Sequence, residues 1–203
     1  MNVKDKRTGR RSQADRSQAT RDALIRAARP LFAKRGYADV STEEIVRAAG
    51  LTRGALYHHF GGKEELLAAI YEQIEAELAE RIAKGALGAS DPLEAMHDGT
   101  AMFLDACLEP EVQRIVLLDA PAVLGWERWR QIGADHGLGL IEATLQAAID
   151  AGKIKPQSVK PLAHVLMGAL DEAAMLVARA DDPAVAREEV AATLRSLLDG
   201  LRP

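Results

Sequence analysis

The chain holds one cysteine, Cys107, among 203 residues. A single thiol excludes an intramolecular disulfide and a cysteine-rich structural zinc site, and it fits a reducing compartment in which the residue serves as a small buried hydrophobe. No run approaches eighteen consecutive apolar residues, and the leading segment MNVKDKRTGRRSQADRSQ lacks the apolar stretch of a signal peptide, so the expectation is a cytoplasmic protein without membrane contact. Strand signals are nearly missing, because no stretch alternates apolar and polar residues with β-branched enrichment. There is no Gly-rich phosphate loop and no paired-carboxylate motif. Cys107 with His97 or His136 has no local nucleophile–base signature, so an enzyme is not expected, and no cofactor is called for. Aromatic residues make up only 4% of the chain, yet Tyr57, His58, His59 and Phe60 place four rings at consecutive positions. Adjacent helical residues point about 100° apart, so His58 and His59 do not share a metal ion.

Charge is present in quantity but divided. The net charge is −4 overall. Up to Glu64 there are 14 lysines and arginines against 7 acidic residues, a net of +7, and the remainder carries −11. The first third is therefore suited to a polyanion and the rest is not, an asymmetry that points to nucleic acid. Residues 1–16 are read as a flexible basic arm.

Apolar residues recur at three and four throughout, the period of helices, and nine are expected. Leu24, Ala28, Leu31 and Phe32 mark the first, from about 17 to Arg35, with a kink at Pro30. Ser41 and Glu44 form a capping box that opens a short helix closed by Gly50, and Thr52 caps another reaching Phe60. Lys63 to about Lys84 is a long amphipathic helix with Leu66, Leu67, Ile70, Ile74 and Leu78 as its stripe. Further helices are expected over Asp91–Leu108, Glu111–Leu118, Gly125–Ala151, Ser158–Arg179 and from Asp182-Pro183 to about Leu201.

Two short helices joined by the tight Ala49-Gly50-Leu51 turn and packed on a preceding helix make a helix-turn-helix, whose second helix fits a major groove about 12 Å wide. Leu56 and Phe60 face the core with Ile45, Val46 and Leu31, which leaves Arg53, Gly54, Ala55, Tyr57 and His58 on the outer surface. Small Gly54 and Ala55 permit close approach to base edges, Arg53 can fork onto a guanine, and Tyr57 and His58 can donate to phosphate oxygens. Lys63 stands at a helix N-terminus, where free N–H groups favour a phosphate.

The stretch ALIRAARPLFAKRGYADVSTEEIVRAAGLTRGALYHHFGGKEELL resembles the N-terminal domain of the tetracycline-repressor-like (TetR/AcrR) family of bacterial transcription regulators in the spacing of LF, RGY, T-E-E-I, AG, LYHHF and KEEL. The resemblance implies phosphate contacts for Thr42, Thr52, Tyr57, His58 and Lys63, and base contacts for Arg53, Gly54 and Ala55. It implies an all-α fold divided into a helix-turn-helix DNA-binding domain at 17–62 and a ligand-binding and dimerisation domain at 63–203, the pocket lying among the fourth to eighth helices and the dimer formed by the last two. The expected function is a repressor that binds a pseudo-palindromic operator as a homodimer and is released by a small, largely apolar effector. A constitutive DNA-binding or protein-interaction module without an effector is the alternative, and a solid core in place of a pocket would favour it.

Within the acidic two-thirds the pocket candidates are Met96, His97, Thr100, Phe103, Leu104, Cys107, Leu117, Trp126, Trp129, His136, Met167 and Glu172, of which His97, His136 and Glu172 are polar residues able to orient a ligand. The stretch 158–179 leaves little polar surface, as expected of a helix covered by its own body and by a partner. Val165, Gly168, Ala169 and Ala173 there, with Leu194 and Leu197 on the last helix, are the candidate dimer interface.

Overall fold

The computed structural model describes residues 5–86, 89 and 91–203. Among them are nine α-helices, one π-helical stretch and no strand, an all-α fold. In chain order these are α1 (Asp5–Arg35), α2 (Thr42–Ala49), α3 (Arg53–Phe60), α4 (Lys63–Ala86), α5 (Pro92–Ala106), the π-helical stretch Val112–Asp119, α6 (Ala120–Leu124), α7 (Trp126–Asp150), α8 (Val159–Arg179) and α9 (Pro183–Asp199). They divide into two compact units, with the boundary between Ile70 and Tyr71 inside α4.

The first unit is built on a small core in which Leu24, Ala28 and Phe32 of α1 are buried together with Ile45 and Val46 of α2, Leu56 and Phe60 of α3, and Leu66 and Leu67 of α4. Local chemistry sets the ends of its short helices. The Ser41 hydroxyl accepts the Glu44 N–H at 3.2 Å while Glu44 Oε2 accepts the Ser41 N–H at 3.0 Å, which satisfies two free helix-end donors reciprocally. Arg35 also donates to Glu44, and this bond, with the Ser41 N–H, holds the Glu44 carboxyl down at about 2. Gly50 closes α2 at φ 66°, ψ 29°, a left-handed conformation that glycine reaches without steric cost and that reverses the chain within one residue.

One expectation for α1 is corrected. The helix begins at Asp5, so residues 5–16, expected as a flexible arm, are helical; residues 1–4 lie outside the described residues. At the start of the expected stretch the Thr20 hydroxyl donates to the Arg16 carbonyl at 2.9 Å and Gln18 Nε2 to Asp22 at 2.8 Å. The helix also runs through Pro30 as one element. Pro30 is exposed, so the carbonyl that its missing N–H leaves unpaired faces water, which can satisfy it.

In the second unit α7 and α8 pack together and against α5, while α9 covers α5 and α8. One core cluster buries Leu93, Leu145, Ala148, Ile154, Ala163 and Leu198, and a second buries Leu104, Ala173 and Leu194. Asp91 and Asp182 cap α5 and α9, each with proline at the start of the helix. By length and hydropathy α8 is the one helix among the described residues able to cross a bilayer. It carries Asp171 and Glu172 in its middle and packs on α5, the π-helical stretch, α7 and α9.

The expected short helix at 111–118 is instead the π-helical stretch followed by α6. The Ala120 N–H reaches back five residues to Ile115. In that register the Val116 carbonyl would take the N–H of residue 121, and Pro121 has none. The indole Nε1–H of Trp129 supplies the missing donor at 2.9 Å. Gly125, at φ 79° and ψ 159°, turns the chain between α6 and α7 through a conformation open essentially to glycine alone, and so brings Trp129 under the π-helical stretch.

Candidate DNA-binding surface and effector cavity

On the first unit, Thr52, Arg53, Gly54, Tyr57 and His58 are exposed along α3, and Ala55 is half-buried. Thr52 is the N-cap, its hydroxyl accepting the Ala55 N–H at 3.2 Å. Thr42, half-buried, opens α2. Arg53 stacks over the Tyr57 ring at 5.4 Å, with Nη2 3.4 Å from the Tyr57 hydroxyl, and is paired with Glu43 of α2 at 2.8 Å. A guanidinium held in this way is presented on the outer face but neutralised until something displaces Glu43. Lys63 stands at the N-terminus of α4, as expected. Its ammonium donates to the carbonyls of Tyr37 and Val40, both at 2.9 Å, and lies 4.0 Å from the centre of the Tyr37 ring. Two of its three donors are thereby spent in bracing the start of α4 against the α1–α2 loop, which leaves one for a phosphate.

One part of this surface lies outside the expected set. Arg16, Ser17 and Thr20 of α1 border a shallow groove with His58 and His59. Arg21 anchors the same end of α3, its guanidinium 4.3 Å over the Phe60 ring and donating to the His59 carbonyl at 3.3 Å. The signal was the run of arginines continuing in helical register upstream of Leu24.

The second unit holds a cavity of about 150 Å³ lined from α4, α5, the π-helical stretch, α7, α8 and α9. Its lining is mostly apolar, including Leu78, Ile82, Phe103, Val116, Leu140, Met167 and Leu170. The ionisable residues on the wall are Tyr71, Glu75, Cys107, Arg130 and Asp171. The Tyr71 hydroxyl, deeply buried, donates to the Trp129 carbonyl at 3.0 Å, and its pKa is raised chiefly by burial. Arg130 pairs with Asp171. Burial pushes the Asp171 carboxyl up to about 6 against the opposing pull of Arg130. Glu75 is pushed up to about 7, first by burial and then by the nearby Asp171, with Tyr71 opposing. Burial also raises the Cys107 thiol to about 12, so it is an un-ionised wall residue.

Comparison with known proteins joins the two halves. Residues 24–70 match the family model described as bacterial regulatory proteins of the tetR family, and residues 93–201, more than half of the chain, match the tetracyclin repressor-like C-terminal domain. The chain belongs to the TetR family. It is 35% identical over 144 residues to the HTH-type transcriptional regulator CymR of Pseudomonas putida, covering 65% of this chain and 70% of that one. It is 27% identical over 160 residues to the transposon Tn10 TetC protein of Escherichia coli, covering 77% and 79%. The crystal structure of a TetR-family transcriptional regulator from Pectobacterium atrosepticum superposes with a TM-score of 0.84 at 38% identity, over 93% of this chain and 96% of that one. The chain is accordingly a DNA-binding transcriptional regulator of a family whose members are typically repressors.

Against this TetR fold the twelve pocket candidates divide. Met96, Thr100, Phe103, Cys107, Leu117, Trp129 and Met167 lie on the cavity wall. His97, Leu104, Trp126, His136 and Glu172 do not. His97 is buried and its Nε2 sits 3.2 Å from Asp199, tying α5 to the end of α9. Leu104 is fully buried in the cluster with Ala173 and Leu194. Trp126 is 56% exposed, its ring 5.0 Å from that of Trp129 but on the solvent side. His136 is half-buried away from the cavity, and Glu172 points outward while its neighbour Asp171 points in.

The dimer candidates divide too. Val165 is 68% exposed and Leu197 55% exposed, and Gly168 has open space beside it. Ala169 packs against the second core cluster, and Ala173 and Leu194 are buried within it, so these three are occupied inside their own subunit. Leu176, 54% exposed on α8, belongs with the first group by position.

Proposed function

We propose that the protein is a ligand-responsive repressor that binds a pseudo-palindromic operator as a homodimer, with α3 in the major groove of each half-site, and that a small molecule entering the second unit releases it. The observation that carries this reading is the apolar cavity within the C-terminal unit of a chain whose N-terminal unit is a helix-turn-helix. A constitutive DNA-binding module needs no such space, and a cavity left empty costs stability.

Helix α4 supplies the connection. Its first residue, Lys63, is fastened to the helix-turn-helix unit, and Tyr71, Glu75, Leu78, Ala79 and Ile82 further along line the cavity. Ligand contacts with those side chains bias the position of the helix, and operators read by dimers demand half-sites held about 34–36 Å apart or a multiple of one turn. A shift of a few ångströms spoils simultaneous contact, and a coupling of ~1–3 kcal/mol changes affinity by roughly 5–150-fold.

The test begins with an operator selected from random DNA by the purified protein. Compounds that quench tryptophan fluorescence are then titrated with and without that operator. Expected is a weaker operator affinity in the presence of ligand and a reciprocal weakening of ligand by operator; compounds that fill the cavity while leaving DNA affinity unchanged would return the chain to the constitutive class.

A further inference from the structure

The cavity is apolar in area but not neutral. Two carboxylates, Glu75 on α4 and Asp171 on α8, reach its wall, and among the described residues the one cation there is Arg130 on α7. Arg130 is committed to Asp171. Glu75 is hydrogen-bonded to Tyr71, but that hydroxyl, which also donates to the Trp129 carbonyl, is neutral and sets no charge against the carboxylate. With both acids ionised the wall therefore carries one negative charge that no described residue lining the cavity offsets. A buried carboxylate without a cation is costly to keep.

We propose that the effector is a small monocation, an ammonium group on an apolar body of about one ring, with its N–H donors directed at Glu75 and its body against the aliphatic and aromatic wall. This rests on the effector reading above and narrows it. Size follows from volume, because a cavity of about 150 Å³ takes a benzene-sized body. Sign follows from the charge balance. Orientation follows from the placement of the acids: Glu75 and Asp171 sit on α4 and α8, and Leu78 and Ile82 extend the α4 wall away from Glu75 by one and two helical turns. An ammonium gives Glu75 what it lacks, a charged donor within a site of low dielectric, and ionised pairs of this kind are the strong ones.

The experiment uses three probes of one shape, benzylammonium, toluene and benzoate, titrated calorimetrically into the full-length protein without DNA at pH 8. Benzylammonium is expected to bind at least about tenfold more tightly than toluene, with benzoate weakest, since a hydrogen bond to a charged group is worth ~10- to 100-fold. Glu75→Gln is expected to abolish the difference between benzylammonium and toluene. Lowering the pH to 6 should weaken benzylammonium alone, by protonating Glu75 and then Asp171, the two acids that face the site beside Arg130; Tyr71 and Cys107, both raised by burial, stay neutral over that interval. Equal affinity for benzylammonium and toluene, tighter binding of benzoate, binding of none of the three, or a Glu75→Gln protein that keeps the preference would each overturn the proposal. The comparison of probes on the unmutated protein decides the matter even if the variant misfolds. Operator affinity is scored separately: a benzylammonium complex with the expected preference but no effect on DNA supports the charge assignment and sinks the effector reading instead.

Discussion

Arg53 is where readiness and restraint meet in one side chain. Its guanidinium is exposed, stacked on Tyr57 and paired with Glu43 across the helix-turn-helix. A DNA phosphate or a guanine must compete with that carboxylate, and the carboxylate itself repels the duplex. Exposed pairs are weak, so Glu43→Gln should raise operator affinity only ~two- to fivefold and leave its sequence preference in place. Fluorescence anisotropy on operator and random duplexes at two salt concentrations checks this; a loss of affinity would show instead that Glu43 positions Arg53 for its contact.

Glu75 gives a second prediction at this scale, now in stability. Its folded pKa, about 7, stands above the ordinary 4.5 because burial penalises the charge. The folded state therefore holds a proton that the unfolded chain has released, and the associated stability is complete below pH 4.5 and lost as pH rises through 7. Glu75→Gln removes that loss. The variant should be more stable than the parent by about 1–3 kcal/mol at pH 8, a rise in Tm of roughly 3–8 °C, with the gain vanishing near pH 4.5. Thermal melts across that range supply the measurement, and a variant less stable at pH 8 would mean that the hydrogen bond with Tyr71 outweighs the cost of burial.

At the scale of elements, the helices were largely legible because their signals are local. The Ser41–Glu44 box, the Gly50 reversal, the Thr52 cap and the Asp-Pro starts of α5 and α9 act within four residues, and all lie where the spacing put them. The cavity wall was less legible. Glu75 stands among Glu72, Gln73 and Glu77 in a stretch that reads as a solvated face, and only its register with Tyr71, Leu78 and Ile82, at steps of four, three and four, marks it as inward. His97 and Glu172 show the converse, since polarity on an apolar helix does not say which side of the helix it is on. The π-helical stretch had a readable cause, Pro121, but its consequence depends on Trp129 thirteen residues after Val116. Trp129→Phe should strand the Val116 carbonyl in the core and cost ~1–3 kcal/mol. Pro121→Ala restores an N–H that can take this carbonyl, so the same Trp129→Phe change should cost much less in that background. A double-mutant cycle by denaturant unfolding measures the coupling, and additive effects would remove Pro121 from the explanation.

At the scale of the whole molecule, the basic first third and acidic remainder assign DNA to one unit and leave the other to meet something else. The second unit presents Val165 and Leu176 on α8 and Leu197 on α9 as large exposed apolar side chains. Val165 and Leu176 are eleven residues apart, three helical turns, so they lie on one stripe with Gly168 between them. A stripe of this kind, flanked by a glycine that allows close approach, suits a two-fold contact between identical helices. Substitutions must be placed accordingly. Ala173→Arg would force a charge into the core of its own subunit and test folding. Val165→Asp and Leu176→Asp put like charges across the proposed axis while touching nothing inside the subunit. Each should shift the population from dimer to monomer in sizing with light scattering at micromolar concentration, with the helical content and Tm of the subunit little changed. Operator affinity should fall by orders of magnitude, since a monomer engages one half-site and loses the effective concentration of the second. Binding to an isolated half-site should stay as it was, because α3 is untouched. A variant that remains dimeric with both aspartates in place would move the interface off this stripe.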